Sequence, residues 1–424
     1  MRLYAQKTAG LPPLKIRDVK VVATSPPASN SGGKRQWVFV KIHTDEPGLY
    51  GVGSATNRNN CFAVASAIER HYAPWWKGKL VDRIEDLWHE TNHRGYWRNA
   101  TIVNQVLSAL DMALWDIKGK RAGMPVYELL GGKARDGVAL YDHCGGRTKE
   151  EVVEDVSRSL EEGFRHVRVQ YAGGYGGGGF REPEAGGRPE GGFGGVAFDE
   201  AKYVEQVPKL FEHVRAQVGT DVELLHDVHE HLTPSAAMEF CRRLQDVRMF
   251  FVEDPLPPEQ IEWFERLRAV STTPLAMGEL FTHPLEWRPL IAKRLIDFIR
   301  CRVSAVGGIT PADKIAVLCE HFGVRTAFQE GGDNDPVNQL AAYHVDLSST
   351  AFGIQEEHDF PDLIRELLPG TAEQRGGYLY GNDEPGLGID IREDLLLSRY
   401  PLEAMPIGAG GKTVRSMDGG LVRP

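Results

Sequence analysis

The segment "ELLHDVHEHL", residues 223–232, is an apolar run that leads into an aspartate set among three histidines. The same pattern, an apolar run closed by an acid, recurs in "FFVEDP" and "PLAMGE". The three acids are Asp227, Glu253 and Glu279, and they are 26 residues apart both times (253 − 227 and 279 − 253). One strand–helix unit of a parallel sheet has about this length, so each acid is predicted to close an equivalent strand.

The chain on either side of these runs continues the alternation. From about residue 138, apolar β-rich runs alternate with amphipathic helical segments, which is typical of a parallel sheet buried on both faces. The eight runs are "GVALYDHCG", "FRHVRVQYA", "VELLHDVH", "MFFVEDPL", "PLAMGEL", "DFIRCRV", "VRTAFQE" and "TAFGIQE". Eight units favour a closed (β/α)₈-type (TIM) barrel over an open sheet. The first third of the chain has hairpin-like alternation up to residue 54 and a long helical stripe after residue 100. We therefore predict an α+β domain there.

The composition excludes several classes of protein. The chain has 424 residues and a formal net charge of −10, which opposes binding to nucleic acid or to anionic membranes. No apolar stretch approaches the length of a membrane span, and the N-terminal residues lack a signal-peptide core. The five cysteines contain no C-x-x-C pair, so we expect buried thiols and a cytoplasmic location.

In a barrel, the carboxyl ends of neighbouring strands share one mouth, so Asp227, Glu253 and Glu279 should converge there. Three converging carboxylates repel one another unless a cation lies between them. An all-oxygen set suits a hard ion that keeps positions for water and substrate, which favours Mg²⁺ over zinc. Two alternatives remain: each acid taken alone is more simply a strand-end carboxylate, and "HDVH" could hold zinc through its two histidines.

The histidines beside Asp227 have separate predictions. If the strand continues, His229 points to the same side as Asp227 and could act as an acid or base. Strand parity turns His226 outward, and His231 falls in the following loop. Further back, residues 172–195 hold 12 glycines. This segment is either a disordered insertion or a lid over the catalytic face.

Together the quoted motifs resemble the enolase superfamily, and most closely its mannonate dehydratase subgroup. "HDVH", "FFVEDP", "PLAMGE", "IDFIR" with "GGIT", and "FGIQE" carry the likeness. The resemblance implies an N-terminal α+β capping domain (1–135), a modified TIM barrel (136–385) and a C-terminal segment (386–424) that packs back on the capping domain. It also implies Mg²⁺ on Asp227, Glu253 and Glu279, removal of the proton α to a sugar-acid carboxylate, and loss of water from the β-carbon.

The resemblance assigns further residues to the substrate. Glu279 and Arg300 would lie near it, although a strand-end arginine could equally pair with a barrel acid. Asp333 and Glu356 match positions that hold polar substrate groups, and His143 matches a histidine that contacts substrate. Arg168 takes the place where relatives with a lysine base carry K-x-K, which disfavours lysine chemistry at this strand.

The departures from the subgroup fall on the proton-handling groups. Gln329 stands where the pattern has a histidine, and Asp335 stands where it has a serine. The subgroup's base, a tyrosine twelve residues after the arginine of R-x-Q, corresponds to Phe180, with Tyr171 and Tyr175 nearby but out of register. Arg58 replaces an asparagine of the capping domain, where it could bind an extra anionic group of the substrate or simply lie in solvent. The subgroup's C-terminal tryptophan also has no counterpart, because no tryptophan follows Trp287.

These observations predict a Mg²⁺-dependent lyase that acts on a small acid sugar and is poor or inactive on D-mannonate. His229 is the acid/base candidate. One alternative is a non-catalytic, metal-dependent binder or sensor of acid sugars. Another is an epimerase that uses His229 and a second base. We expect a homo-oligomer that binds neither nucleic acid nor membrane.

Overall fold

The computed structural model describes most of the chain. The described residues are 12–28, 33–57, 59–172, 174–181, 195–356, 358–404 and 413–422.

An antiparallel sheet with helices packed on it forms the N-terminal part of the molecule. Its strands run in the order β1-β2-β3. They are β1 (Ile16–Thr24), β2 (Trp37–Thr44) and β3 (Tyr50–Ser54). The helices are α1 (Cys61–Ala67), which continues through a π-helical turn (Ile68–Tyr72), α2 (Ala73–Trp76), α3 (Ile84–Arg94), α4 (Thr101–Ala122) and α5 (Val126–Leu129).

The contact between β3 and α4 depends on two glycines. A Cβ at Gly51 or Gly53 would lie only 2.0 or 2.1 Å from a backbone oxygen of α4. Only glycine allows the helix to approach the strand this closely. The helix then ends at Gly123, whose φ of 67° is the left-handed conformation common at helix C-termini.

Each of the eight predicted runs contributes a strand to the barrel. The strands are β4 (Val138–Gly146), β5 (His166–Tyr171), β8 (Glu223–Asp227), β9 (Phe251–Glu253), β10 (Leu275–Met277), β11 (Phe298–Ile299), β12 (Arg325–Thr326) and β13 (Gln355–Glu356). Parallel pairing joins them in this order from β4 to β12. β13 pairs with β4, and a parallel bridge joins Thr326 to Phe352, so the sheet closes on itself. The predicted barrel with an N-terminal α+β domain is confirmed.

Helices cover the outside of the barrel. They are α6 (Lys149–Glu161), α7 (Glu200–Val218), α8 (Pro234–Arg243), α9 (Phe264–Val270), α10 (Pro284–Ala292), α11 (Val303–Val306), α12 (Ile309–Phe322), α13 (Pro336–Ser348) and α14 (Asp362–Leu367). Two 3₁₀ turns, Gln245–Val247 and Pro258–Trp263, complete the connections. Every barrel strand is therefore followed by a helix, as the alternation in the sequence predicts.

A layer of buried side chains fills the barrel below its rim. It consists of Tyr141, Leu225, Phe251, Ala276, Phe298, Ala327 and Ile354, which come from or adjoin seven different strands. Because this layer plugs the interior, polar chemistry is confined to the carboxyl ends of the strands above it.

Between β5 and α7 the chain leaves the barrel and builds a small sheet. Its strands are β6 (Phe180–Arg181) and β7 (Val196–Phe198), which are antiparallel, and β16 (Val414–Ser416), which runs parallel to β7. The glycine-rich segment contains β6 and leads into β7. The part of the predicted lid between residues 182 and 194 lies outside the described residues.

The C-terminal region returns to both parts of the molecule. A hairpin of β14 (Glu373–Arg375) and β15 (Tyr378–Tyr380) extends the barrel sheet at β4. Gly386 exchanges backbone hydrogen bonds with Met124 and Val126, and helix α15 (Glu393–Arg399) forms an ion pair with Lys20 of β1 through Glu393 at 2.8 Å. The division into three domains with these bounds stays a prediction.

Two expectations from the composition can be compared with the structure. All five cysteines are buried and none forms a disulfide. In the part of the chain that the structure describes, no helix combines the length and the apolar character needed to cross a membrane.

Candidate active site

Two of the three predicted strand-end acids lie side by side. Asp227 is the last residue of β8 and Glu253 the last residue of β9, and the two are direct partners in the parallel register. Both are buried, with 1% and 0% of their surface exposed. Glu279 lies two residues beyond β10, and its side chain keeps 19% of its surface exposed. The equal spacing in the sequence thus brings the acids to one mouth of the barrel.

Asp254 is a fourth acid that the sequence reasoning missed. Asp227, Glu253 and Asp254 each offer an oxygen within 4.8 Å of the others. Neighbouring residues of a regular strand point to opposite faces, but Asp254 has a φ of 40°, which breaks the alternation. Its carboxylate accepts a hydrogen bond from the backbone of Gly278, which ties it to the loop that carries Glu279. Glu279 is not a member of this group of three.

The carboxylates at this mouth are short of positive charge. Burial and repulsion by Asp227 and Glu356 outweigh the opposing effect of Arg300 and Arg168 and raise the pKa of Glu253 to about 6. Burial and repulsion by Asp227 and Glu253 raise the pKa of Glu279 to about 8. Asp227 Oδ2 and Glu253 Oε2 are buried without a hydrogen-bond partner among the described residues. Such orphaned oxygens are expensive to bury, so the group fits a hard divalent cation.

Arg168 lies at the edge of this acidic group. Its Nη1 is 3.5 Å from Asp227 Oδ2, 3.7 Å from Glu253 Oε2 and 3.3 Å from Glu356 Oε1. These distances are those of ion pairs rather than hydrogen bonds. A single guanidinium is therefore shared among three carboxylates and satisfies none of them fully.

Arg300 directly follows β11 and is fully buried. Its Nε donates to Glu253 Oε1 at 2.7 Å, and its Nη2 donates to Glu356 Oε2 at 3.0 Å. Its Nη1 donates to the carbonyls of Ala327 and Phe328. The alternative interpretation, a strand-end arginine that pairs with barrel acids, describes this geometry, and contact with a substrate stays a prediction.

Glu356 has the opposite electrostatic environment to Glu279. Burial acts to raise its pKa, but Arg168 and Arg300 hold it well below the usual value. His143 Nε2 lies 2.9 Å from Glu356 Oε1, and the His143 side chain is 34% exposed. Glu356 is thus a permanent anion held between two arginines, with His143 on its outer side.

His229 reaches the site by a turn rather than by strand parity. The strand ends at Asp227, and His229 and Glu230 have φ values of 55° and 63°. The His229 backbone N–H donates to Asp227 Oδ1 at 2.8 Å, and its Nε2 lies 3.8 Å from Glu279 Oε1. The premise that the strand continues was wrong, yet the turn still places the imidazole beside the acids.

The other two histidines do not face the acids. His226 is buried on the outer face of β8, where Tyr203 contacts its Nε2 and the carbonyl of Val169 contacts its Nδ1. His231 lies in the following loop, and its Nδ1 contacts the carbonyls of Val228 and His229. Zinc binding through "HDVH" would need His226 to face inward, so the geometry disfavours it.

Tyr175 lies beside Arg168 and His229, although it is out of register with the subgroup's tyrosine. Its hydroxyl accepts a hydrogen bond from Arg168 Nη2 at 2.9 Å. Its ring stacks on His229, with centroids 4.1 Å apart and planes 20° apart. Phe180, which aligns with the subgroup's tyrosine, instead packs on Phe198 in the small sheet. The glycine-rich turns around Tyr175 carry it inward, and no fixed spacing in the sequence could have shown this.

A cavity of about 370 Å³ lies above these groups. Arg35 from the β1–β2 connection closes it by donating to the carbonyl of Gly332. Its lining also includes Tyr175 and five of the residues predicted to bind substrate: His143, Arg168, Gln329, Asp333 and Glu356. Of the other three, Glu279 and Arg300 are not among the lining residues, and Arg58 lies outside the described residues.

Two family descriptions match the chain. Residues 16–131 match the mandelate racemase / muconate lactonizing enzyme N-terminal domain, and residues 151–395 match the enolase C-terminal domain-like family.

Individual relatives match over nearly the full length. D-galactonate dehydratase family members from Musicola paradisiaca and from a Paenibacillus species are 47% and 48% identical, over 97% and 92% of this chain and 99% and 96% of theirs. The crystal structure of an enolase from Pantoea ananatis with bound D-gluconate and Mg is 46% identical, with a TM-score of 0.91. The match covers 97% of this chain and 100% of that one.

Proposed function

Because the chain belongs to the enolase superfamily, within which its relatives are D-galactonate dehydratase family members, we propose that it is a Mg²⁺-dependent lyase that dehydrates an acid sugar. The observation that carries this proposal is the pair of orphaned, buried oxygens of Asp227 and Glu253 beside the stacked rings of Tyr175 and His229. The D-gluconate and Mg in the related Pantoea ananatis structure support the same substrate class and metal.

We assign the metal to Asp227, Glu253 and Glu279, with Asp254 close enough to contribute. A proton α to a carboxylate is very weakly acidic because its removal creates a second negative charge. When bound, Mg²⁺ supplies positive charge where that negative charge develops.

Tyr175 is the group that we assign to remove the α-proton. Its oxygen accepts a hydrogen bond from Arg168, which favours the phenolate form, although burial and the nearby carboxylates raise the pKa of Tyr175 overall above its usual value. The proton would move from the α-carbon to the Tyr175 oxygen. Tyr175 would therefore act as the base. Phe180, at the aligned position, has no hydroxyl and cannot do so.

His229 is the group that we assign to the departing hydroxyl. Its Nε2 lies 3.8 Å from Glu279 Oε1, and we assign to it the proton that the departing hydroxyl needs. Transfer of that proton to the β-hydroxyl releases water and leaves an enol, which rearranges to a 2-keto-3-deoxy acid. The base, Tyr175, and the acid, His229, would then be in contact, because their rings stack.

The remaining predicted residues would bind the polyhydroxy chain. Glu356, Asp333 and Gln329 line the cavity and can accept or exchange hydrogen bonds with sugar hydroxyls, and His143 lies beside Glu356. Gln329 cannot titrate, so we expect weak or absent turnover of D-mannonate, whose dehydration in the subgroup uses the histidine at this position.

Turnover of a panel of aldonates with Mg²⁺, followed by the appearance of the keto product, tests the proposal. We expect conversion of at least one six-carbon aldonate and none after Mg²⁺ is chelated. Binding of aldonates without conversion on any of them would favour the metal-dependent binder. Exchange of the α-proton with deuterated solvent, without loss of water, would favour the epimerase.

A further inference from the structure

The outer wall of the cavity is a loop between β12 and α13. Gln329, Gly331, Gly332 and Asp333 of this loop line the cavity together with Arg168, the residue that contacts Asp227 and Glu253. A substrate whose carboxyl end lies at the acidic group would direct its far end toward this loop. The loop therefore contacts the part of the substrate that does not react.

Arg302 lies behind this loop and holds Asp333. It immediately precedes α11, and its Nη1 donates to Asp333 Oδ2 at 3.0 Å. The Arg302 side chain is 11% exposed, compared with 22% for Asp333, and Arg302 is not among the residues that line the cavity. Arg302 can therefore influence a bound molecule through Asp333 rather than by direct contact.

Hydrogen bonds that do not involve Arg302 also hold this loop. Asp335 accepts a hydrogen bond from Ser54 at 2.6 Å and caps α13 by accepting from the backbone N–H groups of Val337 and Asn338. Glu330 accepts from the side chains of Asn334 and Asn338. Burial raises the pKa of both Glu330 and Asp335, and the charge of Arg302 opposes that rise. Because these bonds remain at both ends of the loop, loss of Arg302 should remove its pair with Asp333 without unfolding the loop, and Arg302→Lys, which keeps the charge, controls for its effect on the other two acids.

We propose that Arg302 is a positioning residue that sets the chain-length preference of the site. By fixing Asp333 at the outer wall, it favours sugar acids of five or six carbons, whose distal hydroxyls reach that carboxylate, over three-carbon hydroxy acids. A hydrogen bond to a charged group contributes roughly 1.5–3 kcal/mol, or about 10- to 100-fold in affinity. The inference rests on the proposed function for the orientation of the substrate.

The test compares D-gluconate with glycerate, a three-carbon acid that keeps the reacting carbons and lacks the distal chain. Steady-state kinetics and calorimetry with Mg²⁺ are run on the wild type and on Arg302→Gln and Arg302→Lys. We expect Arg302→Gln to raise KM and Kd for D-gluconate about tenfold or more, with kcat changed less than about threefold and glycerate unaffected. Arg302→Lys should recover part of the loss.

Two further variants separate positioning from general damage. Asp333→Asn should reproduce the loss for D-gluconate, and the double variant should show little additional loss, because both changes remove one interaction. Arg268→Gln breaks a comparable arginine–aspartate pair, Arg268 with Asp297 at 2.5 Å, near the opposite end of β11. It should leave the D-gluconate to glycerate ratio unchanged.

Each outcome decides the inference. Equal losses for both acids in Arg302→Gln, or a lower melting temperature with an unchanged ratio, would overturn it. If glycerate binds too weakly to measure, a D-gluconate Kd in Arg302→Gln that equals the Arg268→Gln value would overturn it. Weaker D-gluconate binding in Arg302→Gln without turnover by any protein would retain the inference and reject the lyase. No binding of either acid by the wild type would reject both.

Discussion

On one side of the barrel rim, Asp227 and Glu253 each keep a buried oxygen that no described residue satisfies. On the other side, Glu356 is held by Arg168, Arg300 and His143, and Asp333 is held by Arg302. Both sides bury acids at strand or loop ends, and Arg168 and Arg300 reach both of them, but only on the first side does each acid keep an oxygen without a hydrogen bond among the described residues. The difference indicates that the first side is built to receive a cation and the second to present fixed anions to a ligand.

The largest effect should follow from removing one acid of the unsatisfied side. In Asp227→Asn the bond from the His229 N–H can persist, but the charge is lost. We expect kcat/KM to fall about 10³-fold or more, because a metal ion supplies several kcal/mol of stabilisation to the transition state. Mg²⁺ should also no longer raise the melting temperature. The control is Glu265→Gln, which removes an exposed acid paired with Lys293; a rate for Asp227→Asn close to that control would remove the distinction between the two sides.

Tyr175→Phe tests whether the unsatisfied side also carries the base. The ring stack with His229 can remain, so we expect little loss of stability and a fall in kcat of about 10²- to 10⁴-fold. Exchange of the substrate α-proton with deuterated solvent should slow by a similar factor. The matched variant is Phe180→Tyr, which restores the aligned hydroxyl inside the small sheet and should change kcat less than about threefold. A large increase of kcat in Phe180→Tyr would indicate that the base belongs at the aligned position.

Arg300→Met removes the cation that pairs with one acid of each side. Glu253 and Glu356 would then stay buried without their partner, and breaking a buried ion pair in this way costs about 3–5 kcal/mol. Urea unfolding of this variant and of Arg268→Met, whose pair is partly exposed, should show the larger loss for Arg300. Equal losses for the two variants would mean that the rim acids tolerate the absence of their arginine.

Asp111 is a buried acid outside the site, and it shows what burial alone does. It accepts a hydrogen bond from the Thr310 N–H, and burial raises its pKa to about 7. Because this value exceeds that of the unfolded chain, about 3.9, its contribution to stability is present below about pH 4 and is lost as the pH rises to about 7. Asp111→Asn should lack this loss, so the melting temperature should fall less between pH 5 and pH 8, by about 1–3 °C. Identical pH profiles for the two proteins would contradict the assignment.

The sequence predicted the barrel and the three strand-end acids because both depend on periodic features. Apolar runs and a spacing of 26 residues can be recognised directly in the sequence. Closure of the sheet then brings Asp227, Glu253 and Glu279 to one mouth. His229 was expected to reach the acids because the strand would continue past Asp227. A left-handed turn places it beside them instead.

The residues that could not be predicted depend on irregular backbone and on contacts between distant segments, and neither of these repeats along the sequence. Asp254 turns inward through a positive φ, and Tyr175 is carried in by glycine turns. Arg35 arrives from the other domain, and Arg302 acts from behind a loop. Strand parity and alignment against a pattern both assume regular backbone, so they fail where the chain turns or where two distant segments meet.

The pairing of β16 with β7 gives the last described residues a place next to the catalytic machinery. Val414–Ser416 forms the edge of the small sheet whose strand β6 follows Tyr175 by five residues (180 − 175). A deletion of this strand would therefore disturb the support of the proposed base.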